Sequence, residues 1–131
     1  MPELDRSDSL TGPDTDNNGI RDDIDRYLLT IETSKEEKLA LIQSARAFQS
    51  VQAANLNDDR ELREISDKLV RGTGCVMLTY ESSVAGSQAN RKLQGYTANT
   101  RNRTRHYIKY NDLMDGSVTK LPSDVCDDIA Q

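Results

Sequence analysis

Apolar residues recur along the chain at three- and four-residue steps, interrupted by short polar stretches. Ile20, Ile24, Tyr27, Leu28 and Ile31 form the first such stripe and predict a helix over about 20–31 with one buried face. Ser34 stands three residues before Glu37, a capping-box pair in which each side chain answers the other residue's free backbone N–H, so a second helix is predicted from there. Its apolar positions Leu39, Leu41, Ile42, Ala45, Phe48, Val51 and Ala54 make a stripe broad enough to touch two neighbours. Asn57 and Asp58, with Glu61 three places after Asp58, repeat the start signal, and Leu62, Ile65, Leu69 and Val76 continue at heptad-like steps.

Gly72 and Gly74 fall inside this third pattern. Each costs roughly 1 kcal/mol relative to alanine, so either a kink or close packing against another helix is expected there, with close packing preferred. The apolar run 75–80 would be a marginal strand without a partner, so helical continuation is expected. After a break at 81–87, Leu93, Tyr96, Thr100, Tyr107, Tyr110 and Met114 again fall at helical spacing, and Gly116 is a natural stop. Residues 1–13 show no periodicity and predict a mobile leader. Residues 117–131 predict a tail that crosses back over the helices. The expected fold is all-α, a small four-helix bundle preceded by an acidic loop, the helical domain spanning 14–116 with the loop at 14–25, and short connections favour antiparallel neighbours.

Composition narrows the function classes. With 131 residues, 35% of them hydrophobic, no tryptophan and one phenylalanine, the chain supports one small core and disfavours a two-domain enzyme. Seventeen Lys+Arg against 22 Asp+Glu give a net charge of −5, which argues against a general nucleic-acid binder. No apolar run approaches the roughly 18 residues of a membrane span, so no transmembrane segment is expected.

The most specific chemistry lies in residues 14–25. Asp14, Asp16, Asn18, Asp22 and Asp25 place oxygen side chains at positions 1, 3, 5, 9 and 12 of a twelve-residue loop, with Gly19 at position 6. Alternate residues of such a loop point inward, glycine permits the sharp turn and the carbonyl at position 7, Ile20, faces the centre, which is how a short loop wraps a hard cation such as Ca²⁺. Five aspartates within twelve residues repel one another unless a divalent ion neutralises them. The expected ligands are the side chains of Asp14, Asp16, Asn18 and Asp25 and the carbonyl of Ile20, with Asp22 binding directly or through water. Asp23 is expected outside the shell, as a charge at a helix N-terminus. A plain Asx-rich turn would account for Asp22 and Asp23, but not for the upstream spacing.

This loop resembles the EF-hand and, more closely, the D-x-D-x-[DN]-G-x-x-D-x-x-D calcium loops of thrombospondin type-3 repeats. It departs from the EF-hand at position 8, Arg21 in place of an aliphatic residue, and at position 12, Asp25 in place of glutamate. Only one such loop is present, with no clear helix before it, whereas sensor hands open in pairs. A fixed structural ion is therefore expected rather than a switch. The run DTDNNGIRDDIDRYL, the central cysteine, and NTRNRTRHYIKYND before a final cysteine also resemble a group of small exported proteins of Gram-negative bacteria to which no activity is assigned. That resemblance spans residues 14 to about 126 and implies a periplasmic, secreted or lipid-anchored location.

Cys75 and Cys126 are the only cysteines, without zinc-ligand spacing, and are either one disulfide or two unrelated thiols. An exported location favours the disulfide, which would close a loop worth about 4 kcal/mol in the loop-entropy treatment. Met1 is followed by Pro2, Glu3 and Asp5, so no export signal is visible; a cytosolic start would look like this, as would a mature chain given a new methionine.

Charge is uneven: residues 1–25 hold eight acids and two bases, whereas 82–111 hold Arg91, Lys92, Arg101, Arg103, Arg105 and Lys109 and no acid. Segment 91–109 is the candidate for an alternative role, binding nucleic acid or another polyanion. His106 is the sole histidine, with no nucleophile at motif spacing, and is expected on the surface. No catalytic residue can be named, and a non-enzymatic protein is expected: a calcium-binding structural or binding module of the cell envelope with an unidentified partner. A hydrolase with a structural calcium is the remaining alternative.

Overall fold

The computed structural model describes residues 2–116 and 124–127, and among these the only regular elements are helices. They are α1 (Asp22–Thr30), α2 (Lys35–Gln52), α3 (Asp59–Thr79), α4 (Ser83–Thr97) and α5 (Arg101–Met114). The all-α class holds, with five helices in place of four.

Local chemistry explains where the elements begin. At α2 the Ser34 hydroxyl accepts the Glu37 N–H at 3.1 Å while the Glu37 carboxylate accepts the Ser34 N–H at 3.0 Å, the reciprocal box expected from the sequence. Asp58 caps α3 by accepting the N–H groups of Arg60 and Glu61. The run 75–80 continues α3 as far as Thr79 rather than forming a strand. Two boundaries differ from expectation. Thr100 is not an interior helical residue: its hydroxyl accepts the Arg103 N–H at 3.2 Å and starts a separate α5. Ser82 likewise caps α4 inside the stretch expected to be a break.

Helix α2 is the central element, and every other helix packs on it. The main core joins Ile24 and Leu28 of α1, Leu41, Ala45 and Phe48 of α2, Cys75 and Val76 of α3, Leu93 of α4 and Val125. A second cluster joins Val51 and Ala54 to Leu62, Ile65 and Tyr110 at the α3 and α5 side. Gly72 lets α3 approach α2 closely: a Cβ there would lie 3.1 Å from the Ser44 Cα. Beside it the Ser44 hydroxyl donates to Asn90 Oδ1, and Asn90 Nδ2 donates to Thr73 Oγ1 at 3.3 Å, joining α2, α4 and α3.

Both flanking segments are fastened to this body. Cys75 and Cys126 form a disulfide, Cα to Cα 4.8 Å. Gln43 of α2 clasps the same segment, donating to the Val125 carbonyl and accepting the Asp127 N–H, each at 2.8 Å. The remainder of the expected tail lies outside the described residues. The segment read as a mobile leader is held too: Asp5, Ser9 and Leu10 all bond to Arg103, and Leu4 packs against the core.

Candidate metal centre

The loop before α1 owes its shape to two left-handed residues, Asn17 at φ 55° and Gly19 at φ 84°. Asparagine and glycine tolerate that conformation best. Inside the bend, the Asp14 carboxylate accepts the N–H groups of Asn18 (3.2 Å) and Gly19 (2.9 Å), and Asn18 Oδ1 accepts the Ile20 N–H at 2.9 Å. Ile20 is buried and anchors the loop to the core. It lies just outside α1, which begins at Asp22, so the helix is two residues shorter at this end than the apolar stripe predicts.

Of the residues expected to be ligands, Asp14, Asp16 and Asp22 come together, with one carboxylate oxygen of each within 4.8 Å of the others. Asp22 is also tied across the loop to the Thr15 hydroxyl (2.5 Å) and N–H (2.9 Å). Those two bonds hold its carboxyl below the usual range. Asp25 stands outside the triad, accepting a hydrogen bond from Asn18 Nδ2 at 2.9 Å. Burial and then the charges of Asp16, Asp14 and Asp22 raise its pKa against the help of Asn18. Asp16, Asn18 and Asp25 border an open depression of about 310 Å³ that Lys38 and Arg46 also line.

Asp23 is more than a charge at a helix end. It is 2% exposed and meets Arg21 in a two-pronged ion pair, Nε to Oδ1 2.5 Å and Nη2 to Oδ2 2.8 Å, while accepting the Asp5 N–H. Burial pushes its carboxyl up, but the Arg21 and Asp5 hydrogen bonds outweigh it and the net shift is downward. Arg21 is fully buried and also donates to the carbonyls of Tyr96 (3.0 Å) and Thr97 (3.2 Å). These lie at the C-terminal end of α4, where the helix dipole favours a cation. The arginine that breaks the EF-hand pattern thus fastens the acidic loop to the body.

Arg103 forms a second such anchor. It belongs to the basic segment by sequence, yet it is fully buried. Its five N–H groups are met by the carbonyls of Leu10, Asp5 and Ser9, the Asn99 amide oxygen and the Asp5 carboxylate, at 2.6–3.0 Å. Hydrogen bonds from Ser7 and then Arg103 hold the Asp5 carboxyl down. Gly12 passes between the two arginines at φ 66°; a Cβ there would overlap Arg21 Cδ and lie 3.0 Å from Arg103 Nη2. Nothing in residue spacing reveals these partnerships, although the run Gly12-Pro13-Asp14 is a turn signal.

The other bases of segment 91–109, namely Arg91, Lys92, Arg101, Arg105 and Lys109, are exposed. His106, expected on the surface, is half-buried, and its Nε2 is enclosed with no hydrogen-bond partner among the described residues. Among those residues, no helix is long and apolar enough to cross a membrane. No family model, curated protein or solved structure matches the chain.

Proposed function

We propose that residues 14–25 bind one calcium ion and that this ion has a structural role in an exported protein. The observation that carries the reading is the oxygen spacing at positions 1, 3, 5, 7, 9 and 12 with glycine at 6. The triad adds support, since oxygens sharing one ion at 2.3–2.6 Å stand no more than about 5 Å apart, and those of Asp14, Asp16 and Asp22 lie within 4.8 Å. In the bound loop Asp25 turns from Asn18 Nδ2 to the ion, and the Asn18 amide oxygen and the Ile20 carbonyl complete the shell. A divalent charge there offsets the cost of burying the Asp25 carboxylate and, after it, the repulsion from Asp16, Asp14 and Asp22, which together raise its pKa.

Arg21 and Arg103 tie the loop and its leader to α4 and α5, so ordering the loop stiffens one end of the bundle. This supports a fixed structural ion in a binding or structural module of the cell envelope. The Cys75–Cys126 bond supports an oxidising compartment, periplasmic or extracellular. Calorimetric titration with CaCl₂ tests the site. One ion should bind with a Kd of about 10⁻⁴–10⁻³ M, the range of extracellular modules, and the Asp14→Ala/Asp16→Ala double variant should give no heat. A silent wild type, or unchanged heats in the variant, removes the proposal.

A further inference from the structure

A second concavity lies between α2 and α3, bordered by Gly19 of the acidic loop, with a volume of about 400 Å³. That is within the usual range of small-molecule sites. Its walls carry three cations, Arg46 from α2 and Lys68 and Arg71 from α3. In a chain of net charge −5, three bases around one hollow need an explanation. Internal pairing does not supply one: among the described residues none of the three joins a carboxylate, and Arg46 makes one bond, Nε to the Asn18 carbonyl at 3.1 Å.

The neutral polar groups of the cleft are committed elsewhere. Gln43 holds both sides of the 125–127 segment, Gln49 donates to the Thr11 carbonyl and the Ser50 hydroxyl donates to the Ala47 carbonyl. What the hollow offers a visitor is therefore positive charge above an apolar floor that includes Ala47 and Ala53. Asp127 is the acid among the described lining residues, and it opposes any anion there.

We propose that this cleft binds a small organic anion, an apolar body ending in a phosphate or carboxylate held by Arg46, Lys68 and Arg71. Guanidinium groups suit such heads because they present paired donors to two oxygens. The inference stands apart from the calcium reading, and its test is run on protein stripped of metal and dialysed into chelator-free buffer so that the two fail separately. Hexyl phosphate, titrated calorimetrically at low salt, should bind one to one and saturate, with inorganic phosphate at least about tenfold weaker and hexanol silent. Lys68→Gln/Arg71→Gln should weaken hexyl phosphate by about tenfold or more, as expected for lost charge-assisted bonds, with the melting temperature unchanged. Asp127→Asn should tighten it. The proposal is overturned if hexyl phosphate fails to bind at about 10 mM, if the double variant binds it as well as wild type does, or if hexanol or inorganic phosphate matches it.

Discussion

Asp23 and Asp25 sit two residues apart on the first turn of α1, yet their protons pull in opposite directions. The folded pKa of Asp23 is lowered, so its contribution to stability is present above the ordinary carboxylate value of about 3.9 and is lost as pH falls through the lower folded value. The folded pKa of Asp25 is raised, first by burial and then by its acidic neighbours, so in the metal-free protein its charge costs stability above that value and the cost lifts as pH falls through it. Asp25→Asn should therefore raise the melting temperature in EDTA at pH 7 while weakening calcium by at least roughly tenfold, the loss typical of outer-shell partners. Asp23→Asn should instead cost about 3–5 kcal/mol, the penalty for stranding a buried arginine. Thermal melts from pH 3 to 8, with and without metal, measure both; a lower melting temperature for Asp25→Asn in EDTA would sink the argument. The spacing of the acids was legible in the sequence because it is local. The work of Arg21 and Arg103 was not, since Arg21 reaches carbonyls 75 and 76 positions away and Arg103 reaches Asp5 across 98.

Between helices, the close approach of α2 and α3 rests on Gly72, and Gly95 of α4 provides its control. Alanine gains roughly 1 kcal/mol over glycine in a helix interior. At Gly95 a Cβ would meet nothing within 4 Å, so Gly95→Ala should gain close to that amount. At Gly72 the new methyl lies 3.1 Å from the Ser44 Cα, a backbone atom that cannot swing aside, and overpacking of this kind costs about 1–3 kcal/mol. Gly72→Ala should therefore come out destabilised by about 1 kcal/mol net. Urea denaturation of both variants checks the opposite signs; a stabilised Gly72→Ala would mean that the helices part without loss. The caps at Ser34 and Asp58 were readable because their partners lie within three residues. The division of α4 from α5 was hidden because Thr100 also fits helical spacing; Asn99 followed by Thr100, both turn and cap formers, was the signal for a stop.

Across the whole molecule, two fastenings meet on one helix. The acidic loop reaches α2 where Arg46 donates to the Asn18 carbonyl, and the 124–127 segment reaches it where Gln43 grips Val125 and Asp127, one helical turn earlier. Neither segment makes a hydrogen bond to the other among the described residues, and α2 also packs against α3, α4 and α5. Their free energies should consequently add. Removing the disulfide by Cys75→Ala/Cys126→Ala should cost about 4 kcal/mol, and calcium at about a hundredfold excess over its Kd should contribute about 2.7 kcal/mol. Urea unfolding of both chains, with calcium and with EDTA, closes the cycle, and the interaction between the two effects should stay below about 0.5 kcal/mol. A larger value would mean that the face of α2 carrying Gln43 and Arg46 transmits strain from one fastening to the other, and because Gly19 and Asp127 both border the cationic cleft, anion binding there would then depend on metal and on disulfide alike.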